Sequence, residues 1–120
     1  MWEVEYTDEF GDWWTQLTEA EKIDVAAYVG LLEKKGPQLG YPYSSKIKQS
    51  KYSHMRELRI QHKGRPYRVL YTFDPRRTII LLIGGSKGGI KQWYEKYVLI
   101  ADKLYETYLF ELKKEGLIND

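Results

Sequence analysis

The chain has 120 residues, enough for one domain with a modest hydrophobic core and too few for two. It contains no cysteine, which excludes disulfides, thiolate metal sites and a cysteine nucleophile. No apolar run approaches the roughly 20 residues that span a bilayer. The acidic first ten residues do not resemble a secretory signal, so we expect a cytoplasmic protein.

Charge is unevenly distributed along the chain, although the net charge is only +2. Residues 1–24 contain eight Asp or Glu and one Lys, whereas residues 46–77 contain ten Lys or Arg and two acids. A basic middle suggests a local binding surface for a polyanion. The alternative is a sheet edge kept soluble by Lys and Arg, and charge alone does not decide between the two.

A short first strand at residues 2–6 and two helices are predicted in the N-terminal part. The first helix is expected from about residue 7 to residue 16. The second begins at residues 18–21 (TEAE), where Thr and Glu side chains can satisfy the free N–H groups of the first turn. Gly36-Pro37 ends it. The two helices are predicted to form a hairpin.

Three antiparallel strands are predicted after this hairpin. They run at about residues 55–62, 67–73 and 78–85, with a further short strand at about 45–49. Turn-forming residues occupy 63–66 and 74–77. Four-residue turns at both places predict that Leu58 lies opposite Tyr71, that Val69 lies opposite Leu82, and that Tyr71 also lies opposite Ile80.

In that register the two faces of the sheet differ in composition. The face predicted to form the core against the helix hairpin carries Leu58, Ile60, Val69, Tyr71, Phe73, Ile80 and Leu82. The other face carries Glu57, Arg59, Gln61, Arg68, Leu70, Thr72, Ile79, Leu81 and Ile83, and the same alternation continues to Gly85 and Lys87. This second face is partly apolar, so a covering element is needed.

The covering element is a C-terminal helix predicted over about residues 91–115, ended by Gly116. Four of the eleven tyrosines lie in it, and most are expected to fill the core with their hydroxyls at its rim. The predicted fold is therefore α+β, within a single domain of residues 1–120. A small antiparallel sheet carries an N-terminal helix hairpin on one face and a C-terminal helix.

Three cations are predicted to meet on the second face of the sheet. Arg59, Arg68 and Lys87 come from different strands or strand ends, and Arg binds phosphate oxygens in a bidentate manner. Such a group could stabilise the charge that develops as RNA is cleaved. RNA needs no metal for cleavage if its own 2′-OH attacks the adjacent phosphate. Tyr94 could stack on a base or donate a proton, so Arg59, Arg68, Lys87 and Tyr94 are the predicted catalytic residues.

Further basic side chains near this surface are predicted to contact RNA. They are Lys46, Lys48, Lys51, His54, Arg56 and Lys91. No HExxH, paired-carboxylate or Walker pattern is present, and the GGSKGG sequence at 84–89 lacks the spacing of a P-loop. We therefore expect neither a metal nor a cofactor.

Several short motifs together resemble the RelE/ParE superfamily, and more narrowly the HigB branch with phage-derived Gp49-like proteins. They are W-x2-L at 14–17, ELR at 57–59, YRVLY at 67–71, ILL at 80–82 with the following Lys87 loop, and A-x3-Y at 101–105. The resemblance implies a toxin of a type II toxin–antitoxin system, an endoribonuclease that cleaves mRNA on the ribosome and inhibits translation. It also implies an antitoxin partner, expected to be a helix-turn-helix, HigA-like protein. The implied site falls on Arg59, Arg68, Lys87 and Tyr94.

The chain departs from the HigB pattern at residues 83–90, which hold one Lys and no Pro. Two alternatives keep the same fold. One is a ParE-like inhibitor of DNA gyrase without nuclease chemistry. The other is a non-catalytic, phage-type protein that uses the basic face to bind RNA or another partner.

Overall fold

The computed structural model describes residues 1–88 and 92–119. Its elements are, in chain order, β1 (Val4–Tyr6), α1 (Asp8–Thr15), α2 (Glu19–Lys35), β2 (Ser44–Lys46), β3 (Arg56–His62), β4 (Arg65–Phe73), β5 (Ile79–Ser86) and α3 (Gln92–Lys114). A 3₁₀ turn, Gly36–Gln38, follows α2. The predicted α+β class is confirmed. None of the helices in the described ranges is both long and apolar enough to cross a membrane.

The sheet has the strand order β1-β5-β4-β3-β2. The pairs among β2, β3, β4 and β5 are antiparallel, but β1 pairs with β5 in parallel. The chain returns from β1 to β5 through both N-terminal helices and three strands. That connection is long enough to place a parallel neighbour at the sheet edge.

The capping signals of α2 act as the sequence predicts. The Thr18 hydroxyl accepts the N–H of Glu21 at 3.2 Å, and the Glu21 carboxylate accepts the N–H of Thr18 at 2.7 Å. Gly36 ends the helix with φ of +56°, a conformation that favours glycine. Trp2 packs against Gly36 so closely that a Cβ there would lie 2.4 Å from the indole.

Each face of the sheet packs against its own helices. One core lies between the sheet and the helix hairpin and includes Phe10, Val25, Leu32, Leu58, Ile60, Val69, Tyr71, Ile79 and Leu81. The other lies between the sheet and α3 and includes Met55, Leu70, Ile80, Leu82, Trp93, Val98, Ala101 and Tyr105. The predicted arrangement of helix hairpin and C-terminal helix is confirmed.

The predicted register of β3 and β4 is wrong. Leu58 lies opposite Val69, not Tyr71. Lys63 and Gly64 both have positive φ, 51° and 77°, which is the geometry of a tight two-residue hairpin turn. The strands therefore extend to the turn instead of leaving four residues outside the ladder.

The predicted facing of β5 is also wrong for its first half, Ile79–Leu82. Phe73 pairs with Ile79, so the turn leaves five residues, 74–78, outside the ladder instead of the predicted four. A bulge further along the strand then restores the predicted facing. Leu70 lies opposite Ile83 and Tyr71 lies opposite Leu81, so Leu82 is an extra residue in β5. Tyr71 therefore lies opposite Leu81 and not Ile80, and beyond the bulge Val69 lies opposite Gly84 and not Leu82.

The longer turn exchanges the two faces of β5 between the turn and the bulge. Ile79 and Leu81 pack toward the helix hairpin, whereas Ile80 and Leu82 pack toward α3. After the bulge the alternation returns to the predicted phase, and Gly85 lies opposite Arg68.

Candidate nucleic-acid interface

The side chain of Glu57 is the centre of a polar cluster on the α3 face of the sheet. Its carboxylate accepts hydrogen bonds from Ser45 Oγ at 2.5 Å, Arg59 Nη1 at 3.2 Å and Tyr94 Oη at 2.7 Å. Arg68 Nε lies 3.3 Å from Glu57 Oε1, which is an ion pair. Only 5% of Glu57 is exposed, so these contacts replace nearly all of its solvation.

The strand geometry explains why these groups meet. Glu57 and Arg59 are two residues apart on β3, so their side chains point to the same face. Arg59 lies directly opposite Arg68 on β4. Two like charges in such a cross-strand pair repel each other. The carboxylate of Glu57 contacts both guanidinium groups and offsets this repulsion.

Lys87 and Tyr94 complete the cluster from outside the central strands. Lys87 follows β5, and its N–H donates to the carbonyl of Pro66 at 2.9 Å. Its Nζ lies 5.4 Å from the centre of the Tyr94 ring, within the range of a cation–π contact. Burial, and then the hydrogen bond to Glu57, raise the pKa of Tyr94. The phenol is therefore protonated at neutral pH and acts as a donor.

The four predicted catalytic residues thus gather at one place, around a carboxylate. Arg68 is buried and Arg59 half-buried, while Lys87 is partly exposed. The cluster has three cations and one anion, so its net charge is positive. Their catalytic role remains a prediction.

The predicted RNA-binding residues do not form one surface. Arg56 alternates with Leu58 along β3 and points to the hairpin face, where its Nε donates to Ser44 Oγ at 3.0 Å. Ser44 in turn shares a hydrogen bond with the buried hydroxyl of Tyr71. Lys46 lies opposite Arg56 and is exposed. Arg56 and Lys46 are thus separated from the Glu57 cluster by the sheet.

The other basic candidates lie beside α3 or along the connecting loop. Lys48 is exposed. Lys51 Nζ lies 2.5 Å from Glu106, and its hydrogen bond to Glu106 raises the pKa of Lys51. His54 is exposed, and its Nε2 lies 3.4 Å from the Tyr105 hydroxyl oxygen. Lys91 falls outside the described residues.

Three residues of the site were missed by sequence reasoning. Glu57 could have been found, because it is the only acid between residues 46 and 73 and shares its face with Arg59. Ser45 and Tyr41 carry no such signal. Tyr41 lies in the loop before β2, yet its ring centre is 5.0 Å from the Arg59 guanidinium. Among residues 1–88 and 92–119, no three His, Asp or Glu side chains gather as a ligand set for a metal.

The fold is shared with solved RelE structures. The archaeal RelE–RelB complex from Pyrococcus horikoshii OT3 contains a chain that matches with a TM-score of 0.55 at 16% identity, over 74% of this chain and 98% of that chain. The isolated Escherichia coli RelE toxin matches with a TM-score of 0.51 at 12% identity, over 83% and 99%. At such identities the likeness shows the fold alone, which is RelE-like.

Sequence comparison defines the family more narrowly. The sequence profile of the phage-derived protein Gp49-like family matches residues 12–106. Mycobacterium tuberculosis HigB3, assigned as a toxin, is 40% identical over 98 residues, covering 81% of this chain and 84% of HigB3. HigB2 of the same organism, also assigned as a toxin, is 36% identical over 91 residues, covering 74% of this chain but only 45% of HigB2. The chain belongs to the Gp49-like family, is similar in sequence to HigB proteins and has a RelE-like fold, so the resemblance seen in the sequence is confirmed.

Proposed function

We propose that this protein is the toxin of a type II toxin–antitoxin pair and cleaves mRNA on the ribosome, so that translation stops. The observation that carries the proposal is the convergence of Arg59, Arg68 and Tyr94 on Glu57, with Lys87 against the Tyr94 ring. Relatives assigned as toxins support the class. The solved complex of a RelE with a RelB supports an antitoxin partner, which we propose is a helix-turn-helix, HigA-like protein in the cytoplasm.

The proposed reaction uses the RNA's own 2′-OH as the nucleophile. A bond forms between O2′ and phosphorus, and the bond from phosphorus to O5′ breaks, which leaves a 2′,3′-cyclic phosphate and a free 5′-OH. Glu57 is the carboxylate within the cluster, and we assign it as the base that takes the 2′-OH proton. Its contacts with Arg59 and Arg68 hold it in place before the substrate arrives.

Positive charge supplies the second part of the catalysis. Negative charge grows on the phosphate oxygens as the 2′-oxygen attacks, and fixed cations stabilise that charge. Arg59 and Lys87 are the more accessible cations, so we assign them to the phosphate. Arg68 is buried beside Glu57 and adds positive potential to the same place.

The leaving 5′-oxygen needs a proton donor. Tyr94 is protonated, since the pKa of its phenol is raised by burial and by Glu57. Its hydroxyl lies 2.7 Å from the carboxylate that accepts the first proton. Tyr94 can therefore donate to the leaving oxygen and recover a proton from Glu57, so that both groups return to their starting states.

Growth of cells that express Arg59→Ala tests the proposal. The variant removes a half-buried cation from the site, and we expect it to relieve growth arrest because a phosphate-binding group contributes on the order of 100-fold in rate. Lys34→Ala is the matched control, since Lys34 is an exposed cation at the end of α2. Circular dichroism should show both variants folded.

Two outcomes would contradict the proposal. A folded Arg59→Ala protein that still arrests growth fully would remove Arg59 from the site. Growth arrest by the wild type with intact mRNA, and with loss of DNA supercoiling, would indicate a gyrase inhibitor instead.

A further inference from the structure

A small cavity opens next to the Glu57 cluster at the outer edge of β3. Its volume is about 230 Å³, and its lining includes Arg59, Arg68, Gln61 and the Tyr41-Pro42-Tyr43 segment. This volume is below the 300–1,000 Å³ typical of sites for drug-sized ligands. It suits a single ring system.

The walls of the cavity offer flat surfaces for a ring. Tyr41 is 76% exposed and Tyr43 is 43% exposed, although both are large aromatic side chains. The Arg59 guanidinium lies 5.0 Å from the Tyr41 ring centre, and the Tyr28 ring lies 6.3 Å from that of Tyr43. Aromatic rings and Arg planes are the surfaces on which unpaired nucleobases stack.

The edge of β3 adds hydrogen-bonding groups to the same cavity. The Arg59 N–H donates to the carbonyl of Tyr43 at 2.8 Å. The backbone N–H and C=O groups of Arg59, and of every second residue from it along β3, therefore point away from β4. Gln61 is two residues after Arg59, so its backbone groups also point away from β4. Its cross-strand neighbour Pro66 directs its carbonyl the other way, to Lys87. Gln61 can thus present a backbone N–H, a backbone C=O and an exposed side-chain amide.

We propose that this cavity is a nucleobase-binding subsite, which holds one unpaired base of the RNA next to the scissile phosphate. The inference rests on the proposed function and deepens it. Tyr41 stacks on the base, Arg59 joins the base site to the phosphate site, and Gln61 reads the edge of the base. The subsite would give cleavage a base preference that the phosphate contacts alone cannot supply.

Binding of short RNA measures the subsite without any need for cleavage. The probe is a set of RNA hexanucleotides with 2′-O-methyl riboses, which cannot be cleaved by 2′-OH attack, each with one abasic position. We expect one abasic position to weaken binding to the wild type by roughly 5- to 150-fold, the range of one stacked base. Tyr41→Leu should reduce this penalty to less than about 2-fold, while Tyr41→Phe keeps it.

Matched variants complete the experiment. Phe110→Leu removes a 63% exposed aromatic ring from α3 and should retain the full penalty. Gln61→Leu should keep the penalty but change which base binds best. Because Tyr41 and Gln61 are exposed, we expect all these variants to fold.

Three results would overturn the subsite: no abasic position that weakens binding, an unchanged penalty in Tyr41→Leu, or no RNA binding by the wild type. Equal binding of all the abasic RNAs is expected if the cavity binds a protein side chain instead of a base. The proposed nuclease function can fail separately. If mRNA stays intact in cells, the abasic position can still weaken RNA binding in a way that depends on Tyr41.

Discussion

Glu57 determines how the basic side chains of the site behave. Without it, Arg59 and Arg68 would face each other as an uncompensated pair across two strands. With it, both guanidinium groups are held beside one carboxylate that also accepts from Ser45 and Tyr94. The site is therefore ordered before RNA binds, and an ordered site loses less entropy when the substrate arrives.

Glu57→Gln should affect RNA binding and RNA cleavage in opposite directions. The amide has nearly the same shape but no charge, so the surrounding cations attract phosphate more strongly and RNA affinity should rise. Cleavage should fall by about 10²- to 10⁴-fold if the carboxylate is the base. Binding to uncleavable RNA and cleavage on translating ribosomes measure the two effects.

Glu111→Gln is the control for that comparison, because Glu111 is an exposed acid on α3. It should change neither quantity by more than a small factor. A Glu57→Gln protein that is folded and cleaves at the wild-type rate would show that Glu57 only positions the arginines.

At the scale of helices and strands, the sequence predicts most elements and fails on their alignment. Alternation in β3 and β4, the capping box at residues 18–21 and the stop at Gly36 are local signals, and each is found in the structure. The bulge at Leu82 has no local signal. Both faces of β5 are apolar because helices cover both, so the strand's own pattern cannot show which side chain faces which helix.

The candidate site was only partly predictable for a related reason. Arg59 and Arg68 could be placed on one face because the alternation of β3 and β4 is clear. The contact of Tyr41 with Arg59 depends on the path of a loop, which no periodic pattern encodes. The face of Arg56 could have been predicted, because alternation with Glu57 and Arg59 already places Arg56 on the hairpin face.

Close packing of α1 on β5 gives a test of where Gly84 lies. Gly84 lies on the hairpin face, and a Cβ there would be 2.3 Å from the Trp13 ring. Gly84→Ala should therefore lower the free energy of unfolding by roughly 1–3 kcal/mol. Chemical denaturation of the purified protein measures it.

Gly88→Ala is the control for the Gly84 variant, because a Cβ at Gly88 would meet nothing within 4 Å. It should change the free energy of unfolding by no more than about 0.5 kcal/mol. Equal stability of the two variants would contradict the placement of Gly84 against α1.

At the scale of the whole molecule, tyrosine hydroxyls join α3 to the rest of the protein. Tyr94 donates to Glu57 on β3, and Tyr108 donates to Glu5 on β1. Tyr105 is buried in the core between α3 and the sheet, and its hydroxyl donates to the carbonyl of Phe73. Ionisation of these phenols would place negative charge in an apolar core or against carboxylates.

Stability should accordingly fall at alkaline pH. Burial, followed by the charges of Asp74 and Tyr52, raises the pKa of Tyr105 to about 12, from about 10 in an unfolded chain. A raised folded pKa gives stability that is complete below about pH 10 and is lost as the pH rises toward 12. Thermal unfolding across this range measures the loss.

Tyr105→Phe should lose less stability between pH 10 and 12 than the wild type does, although it lacks the hydrogen bond to Phe73. Tyr6→Phe changes an exposed tyrosine and should follow the wild-type profile. Parallel pH profiles for Tyr105→Phe and the wild type would argue against a buried, protonated Tyr105.

Mapping of mRNA 5′ ends in cells that express the protein tests the central claim most directly. Cultures with active translation and cultures with translation blocked should be compared, each with wild type and Glu57→Gln. We predict abundant new 5′ ends within coding regions for the wild type in translating cells, and very few for Glu57→Gln or when translation is blocked. Wild-type cells whose mRNA ends are unchanged during growth arrest, or equally abundant when translation is blocked, would contradict a ribosome-dependent nuclease.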